Sequence, residues 1–231
     1  MLRVSDKALF ALLSTFKSEV HYANHSQFGK GRRFGHYSYD HVVKKIISEN
    51  GECFYHQEFI SGDECDSLFL ELKSELSWRQ DPIQIFGKEF LIPRFHCWYG
   101  DFDYQYSNIT LKKQRMPAVL EKVRQEISDF LKIEFNGVLC NLYRDGQDSN
   151  GWHRDNEREL IRPIHIASLS LGAERYFGLR RRGETRMDQK ILLENGSLLY
   201  MAHPFQDHWE HQIAKTKKIT NERINLTFRR G

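Results

Sequence analysis

The stretch that most constrains this chain lies near its far end, Arg223-Ile-Asn-Leu-Thr-Phe-Arg229. Polar and apolar residues alternate with period two, so the segment reads as a strand. Ile224, Leu226 and Phe228 share one face, and Arg223, Asn225, Thr227 and Arg229 share the other. The first set suits a core. The second places two permanent cations on one interior face, where they repel unless an anion lies between them. Guanidinium groups grip carboxylates through paired hydrogen bonds, so a dicarboxylate is the expected occupant. Asn141 and Tyr143 likewise share a strand face and can donate hydrogen bonds to the same carboxylates.

A metal site accompanies this clamp. His153 and Asp155 are two residues apart, so on an extended segment both side chains reach one ion while Arg154 points away. The third ligand must come from another strand. His203, His208 and His211 compete, and ring chemistry alone does not choose among them. Two imidazoles and one carboxylate hold iron(II) on one face and leave the opposite face open for oxygen and a second ligand. Joined to a carboxylate clamp, that set suggests an oxygenase that consumes an oxo-acid.

Those 231 residues suit one domain with a full core. Hydrophobic residues at 40% and charged residues at 28% argue for a globular chain rather than a disordered one. A net charge of +3 permits a polyanion partner without demanding one. Cys53, Cys65, Cys97 and Cys140 are scattered, which implies neither a zinc site nor a disulfide framework and fits a reducing compartment. No apolar run is long enough to span a membrane. Ala8 to Phe16 comes nearest to a signal core, but Asp6 and Lys7 precede it and no small-residue cleavage site follows.

Along the chain, Leu9, Leu12, Leu13, Phe16 and Val20 predict an amphipathic helix, and residues 24–40 a basic loop. Cys53 to Ile60 reads as a strand. Ser61 to Glu64 forms a capping-box pattern, and Cys65, Leu68, Phe69, Leu72 and Leu76 make one helical face. Ile83 to Phe90 alternates and turns at Gly87, as a hairpin does. Trp98 and Tyr99 read as packing residues. Pro117 opens a helix whose buried stripe is Val119, Leu120, Val123, Ile127, Phe130 and Leu131. Short strands follow at 138–143, 164–171, 176–181, 190–193, 197–201 and 224–228. His165, inside an apolar strand, reads as a core histidine. A helical first half followed by many strands argues for an α+β fold.

Asn-x-Tyr at 141–143, His-x-Asp at 153–155, a late histidine and Arg-x-Asn-x-Thr-x-Arg at 223–229 come in an order that resembles the AlkB family. Its members are Fe(II)- and 2-oxoglutarate-dependent dioxygenases that remove alkyl groups from nucleic-acid bases. The resemblance covers the chain from about Cys53 to Arg229. It implies a double-stranded β-helix, a jelly-roll core with supporting helices and an N-terminal nucleotide-recognition lid. Residues 1–50 would be an extension and 51–231 a single dioxygenase domain, with the lid at about 80–112 and the jelly roll at about 136–231.

The same resemblance selects His211 as the third ligand beside His153 and Asp155. It assigns Asn141, Tyr143, Arg223, Asn225, Thr227 and Arg229 to 2-oxoglutarate, with Arg223 at the distal carboxylate and Arg229 nearer the metal. Fe(II) is the implied metal, with 2-oxoglutarate and O2 as co-substrates. Phe86-Gly87-Lys88 is similar to the finger of the branch that repairs double-stranded DNA, with Phe86 as a wedge in the base stack. Tyr104, Gln105 and Tyr106 resemble the lid that faces the flipped base. Relatives often carry an acid where Asn156 stands, contacting the methylated base; the amide here loses that charge, and Glu157 follows it. Arg180, Arg181, Arg182 and Arg186 are candidates for phosphate contact.

The expected function is oxidative demethylation of 1-methyladenine and 3-methylcytosine in DNA, releasing formaldehyde and succinate. The alternatives are the same chemistry on single-stranded DNA or RNA, and a nucleic-acid-binding module without chemistry. The expected protein is an intracellular monomer, nuclear in a eukaryote and cytoplasmic in a bacterium, with no membrane partner.

Overall fold

The terminal strand is the centre of the architecture. As β15 (Arg223–Arg229) it is buried along its whole length and sits fifth in a seven-stranded sheet. The order is β1 (Lys44–Ile47), β2 (Glu52–His56), β13 (Leu198–Ala202), β10 (Ile166–Gly172), β15, β8 (Gly137–Tyr143) and β5 (Phe95–Gly100). A four-stranded sheet has the order β12 (Gln189–Leu193), β11 (Arg175–Arg181), β14 (Trp209–Ile213), β9 (Asn150–His153). Pairing is antiparallel in both. The computed structural model describes residues 43–47, 49–85, 87–106 and 109–231. The expected helix at 9–20, the basic loop at 24–40 and the wedge residue Phe86 lie outside the described residues.

The alternation of β15 is used as the sequence predicts. Ile224, Leu226 and Phe228 pack with Leu72 of α1 (Gly62–Glu75) and with Leu120, Val123 and Ile127 of α2 (Ala118–Leu131). Burial of this kind contributes about 1.5–3 kcal/mol per large apolar side chain. The other face of the large sheet looks toward the small sheet, where Leu139, Tyr143, Phe177, Leu179, Leu199 and Ile213 form a second core. Two facing antiparallel sheets with helices on the outside make the jelly roll that the resemblance implied.

Among the described residues the first half carries more strand than helix. Among the described residues, seven strands and only one helix precede α2. Besides β1, β2 and β5 these are the hairpin β3 (Pro82–Ile85) and β4 (Lys88–Leu91), and the pair β6 (Tyr104–Tyr106) and β7 (Ile109–Leu111). β5 escaped a sequence reading because it is covered on both faces, so Phe-His-Cys-Trp-Tyr-Gly shows no polar alternation. β1 pairs with β2, which brings residues 44–47 into the large sheet.

Local signals were mostly honoured. Gly87 turns the β3–β4 hairpin at φ +75°, a conformation natural to glycine. Pro117 stands at the N-cap of α2, and Lys132 closes that helix in the left-handed region. The capping box of α1 forms differently from the pattern. The Ser61 hydroxyl donates to the Glu64 carboxylate at 2.8 Å and caps no backbone N–H. Asp63 and Glu64 in the first turn still face the positive end of the helix. Among the described residues no helix is long and apolar enough to cross a membrane.

Candidate active site

His153 closes β9 and His211 lies in β14, and the two are directly paired across the sheet. Their rings are 4.2 Å apart between centroids. Asp155 sits two residues beyond β9, with its Oδ2 3.6 Å from His211 Nε2. Ligand atoms of all three lie within 4.8 Å of one another. His203 and His208 are exposed, so the competition among the late histidines resolves to the buried His211.

The protonation states suit a metal. His153 Nδ1 lies 2.7 Å from the Gly151 carbonyl, which can only accept, so the proton sits on Nδ1. That tautomer leaves the Nε2 lone pair free to ligate, and here it accepts from the Asn150 amide at 3.0 Å. Burial, together with the neighbouring His153, pushes His211 down to about 3. Burial alone would raise Asp155, but the Arg229 guanidinium outweighs it and holds the carboxyl at about 2. Two neutral imidazoles and an ionised carboxylate are the donor set of a facial iron(II) centre, so the residues fit that metal.

Arg229 Nη2 donates to Asp155 Oδ1 at 2.6 Å. This changes the reasoning about paired arginines. The anion beside Arg229 is the protein's own carboxylate, although Arg229 Nε stays without a partner, and of the two arginines it is Arg223 that has no carboxylate at all. Arg223 is buried, donates from Nη2 to the Ser170 hydroxyl at 2.9 Å, and leaves Nε and Nη1 without partners. Burial lowers its pKa to about 10. Its guanidinium stands 5.2 Å from the Tyr143 ring. Between the arginines, the Thr227 hydroxyl donates to Asn225 Oδ1, and the Asn225 amide nitrogen donates to the Ser168 hydroxyl.

Two further guanidinium groups surround Tyr143, and the sequence reading passed over both as site residues. Arg94 is 5.9 Å from that ring and Arg175 5.6 Å. Arg94 Nε donates to Asn141 Oδ1 at 2.7 Å, which turns the Asn141 amide nitrogen away as a free donor. Arg175 donates to the carbonyls of Asp145, Asp148 and Ala214. Together they clasp the turn between β8 and β9, because Arg94 also donates to the Ser149 carbonyl. Gly146 is required in that turn, since a Cβ there would stand 2.2 Å from the Thr216 carbonyl oxygen. Among the described residues, no carboxylate lies within ion-pair distance of Arg94, Arg175 or Arg223. A dianion beside Tyr143 would meet a field set for it.

The lid residues divide. Tyr104 is a correction, because its ring is fully buried against Trp98 at 4.5 Å and offers no face to a base. Its hydroxyl donates instead to Glu157 Oε1 at 2.5 Å. Gln105 is exposed, donates from its backbone to Glu159, and from its amide to Thr110. Tyr106 is half-buried beside His96 and Arg94. Lys88 is exposed at the hairpin. Trp98 and Tyr99 are buried packing residues, as expected. Asn156 Oδ1 accepts from Arg162 at 2.7 Å. Glu157 is the acid that lies near the metal cluster: its Oε2 is buried without a partner, and burial together with Asp155 raises its pKa.

The remaining candidates are engaged elsewhere. Arg180 pairs with Glu210 at 2.7 Å, and Arg181 with Glu49 at 2.9 Å, which leaves less of that cluster for phosphate. His165 is half-buried, 2.7 Å from the Tyr200 hydroxyl.

Comparison with known proteins agrees with this geometry. Residues 52–229 match the model of the 2OG-Fe(II) oxygenase superfamily. The chain is 40% identical over 198 residues to DNA oxidative demethylase ALKBH2 of Bos taurus, covering 80% of this chain and 71% of the relative. It is 37% identical over 180 residues to alpha-ketoglutarate-dependent dioxygenase alkB homolog 3 of Bos taurus, covering 74% of this chain and 63% of that protein. The solved structure of OsALKBH1 superposes with a TM-score of 0.57 at 15% identity, over 82% of this chain and all of that one, which speaks for the fold.

Proposed function

The chain belongs to the AlkB family of Fe(II)- and 2-oxoglutarate-dependent dioxygenases, and from that premise we propose that it removes N-methyl groups from DNA bases by oxidation. The observation that carries this reading is the His153–Asp155–His211 cluster, with Asp155 and His211 buried and His153 half-buried, in a fold that also buries Arg223, whose guanidinium has no anion of the protein to answer it. His153, Asp155 and His211 would hold the iron. Bound there, iron supplies oxidation chemistry, coupling O2 and the conversion of 2-oxoglutarate to succinate and CO2 to hydroxylation of the methyl carbon.

The chain's own residues supply the rest. Arg223 and Tyr143 would hold the distal carboxylate of 2-oxoglutarate, and Asn141 would donate its amide N–H to the co-substrate. Asn225 and Thr227 line the same face. Arg229 keeps Asp155 ionised and occupies its Oδ1, so Oδ2, on the His211 side, would be the oxygen that holds the iron. Glu157 would accept a hydrogen bond from the base edge, and its charge favours a cationic base such as 1-methyladenine or 3-methylcytosine. Asn156, bound to Arg162, is the weaker candidate for that contact. Tyr106, half-buried beside His96 and Arg94, would be the lid ring that covers the base. Once the methyl group carries a hydroxyl, the N–C bond breaks, formaldehyde leaves and the nitrogen regains its ordinary valence.

The base must first leave the stack, at a cost of a few kcal/mol. The Phe86-Gly87-Lys88 sequence, of which Gly87 and Lys88 are described at the β3–β4 hairpin, favours duplex DNA as the substrate, with single-stranded DNA or RNA as the competing one. Such a substrate places the enzyme inside the cell, in the nucleus or the bacterial cytoplasm. Nothing in the site calls for a second copy of the chain. The test is stoichiometry on an oligonucleotide with one 3-methylcytosine. One succinate per methyl group lost supports the reading; succinate without demethylation contradicts it.

A further inference from the structure

Asp155 lies just past the end of β9, where the ladder with β14 has stopped. Its backbone N–H is buried and has no strand partner. It donates instead to the side-chain oxygen of Gln206 at 3.0 Å. Gln206 belongs to α3 (Phe205–His208), the single turn that leads into β14 and His211. Its side chain is buried, and its amide nitrogen points at Met201 Sδ, 3.5 Å away. A backbone N–H must face the oxygen of the amide, so the orientation of the group is fixed by its partners.

The platform beneath Gln206 is rigid. Phe205 is fully buried, stacked 6.2 Å from Trp209, with its ring 6.5 Å from that of His211. Its backbone is pressed against Gly51, where a Cβ would come within 2.5 Å of Phe205 Cα. The Gln206 carbonyl also accepts from the Arg154 guanidinium at 3.3 Å. One residue therefore receives both a side chain and a main-chain N–H from the segment that carries two of the three candidate ligands.

We infer that Gln206 is a positioning residue for the metal centre, setting where the Asp155 backbone stands relative to His211. Two restraints act on Asp155. Arg229 fixes the rotation of the carboxylate through Oδ1. Gln206 fixes the position of the main chain that bears it. The β9–β14 pairing holds His153 against His211, and the Gln206 bond extends that hold to the ligand lying beyond the ladder. Without an acceptor, a buried N–H is left unsatisfied, and the segment must shift to find one. This inference rests on His153, Asp155 and His211 being the ligands.

Cobalt(II) titration of the whole protein, followed by calorimetry and by the visible ligand-field bands of the bound ion, tests it without turnover. Gln206→Met keeps the length and removes the amide oxygen. It should lose about 10–100-fold in cobalt affinity, with altered bands. Gln206→Glu restores an oxygen at the same reach and should recover the affinity to within roughly threefold. If the Met variant does not fold, Gln206→Asn carries the test, since it draws the oxygen back by about 1.5 Å and should weaken binding in the same direction. Unchanged affinity and bands in the Met or Asn variant, or a Glu variant that binds no better than Met, would overturn the inference. Asp155→Ala separates the two levels. Full cobalt binding by that variant would defeat the ligand assignment itself; binding that is lost there yet indifferent to residue 206 defeats only the role of Gln206.

Discussion

Arg229 Nη2 stands 2.6 Å from Asp155 Oδ1, and both residues are buried. The last arginine of the terminal strand is therefore committed to a candidate metal ligand. It keeps that ligand ionised in a place where burial alone would favour the neutral acid. Arg223, six residues earlier on the same face, has no such partner, which is why it is the proposed contact for the co-substrate.

Replacing Arg229 by methionine removes the cation and keeps most of the volume. The stranded Asp155 should cost about 3–5 kcal/mol of stability, as expected when one member of a buried pair is deleted. Urea unfolding of the metal-free protein measures this. The double variant Arg229→Met with Asp155→Asn should lose less than the sum of the single variants, because the uncompensated charge is gone.

Arg223→Met predicts the reverse pattern. The buried guanidinium is unpaired on two nitrogens, so its removal should not lower the thermal midpoint of the ligand-free protein. 2-Oxoglutarate should raise the midpoint of the unaltered protein, as any ligand of the folded state does, and should no longer raise that of the variant. A shift of equal size in both proteins contradicts the clamp.

Glu157 offers one buried oxygen without a partner while Tyr104 holds the other. Glu157→Gln should lose about tenfold or more in kcat/KM on 1-methyladenine, a charged hydrogen bond being worth about 1.5–3 kcal/mol. The loss should be smaller on a neutral methylated base such as 3-methylthymine. Competing the two substrates in one reaction reads the ratio directly.

Acid should destabilise the metal-free protein. His211 is depressed from 6.5 to about 3. Between those values the unfolded chain binds a proton that the folded chain refuses, so stability falls as pH drops through that window and is flat for this residue above it. His153 is lowered in the same direction by burial. The Asp155 carboxyl, lowered to about 2, adds a further loss only below its ordinary value of 3.8. Urea midpoints from pH 7 down to pH 4 should decline, and His211→Gln should flatten the slope.

Much of this centre is legible in the sequence, for particular reasons. β15 and β8 present their polar residues on one face because only that face meets the site, so strict alternation survives. The stripe of α2 survives because one side of the helix is wet. β9 and β14 are short and carry candidate ligands and aromatic residues in place of a clean pattern, so neither strand was foreseen. The late histidines could not be ranked from ring chemistry, because burial distinguishes them and burial is a property of the fold. Arg94, Arg175 and Gln206 left no local signal at all. Their partners are 39 to 55 residues away in the chain or lie in turns, as with Arg94 to Ser149, Gln206 to Asp155 and Arg175 to Ala214. The burial of Tyr104 was not legible either, because its ring packs on Trp98, six residues earlier across a turn that alternation does not reveal.

The most direct test of the central claim is methyl loss from a duplex carrying one 1-methyladenine, followed by mass spectrometry. The reaction is prepared without oxygen and started with air, with and without iron(II) and 2-oxoglutarate. Demethylation that requires both, and that disappears in His153→Ala and Asp155→Ala, is the predicted result. Folded, iron-loaded protein that leaves the methyl group in place, or that removes it equally well without 2-oxoglutarate, would contradict it.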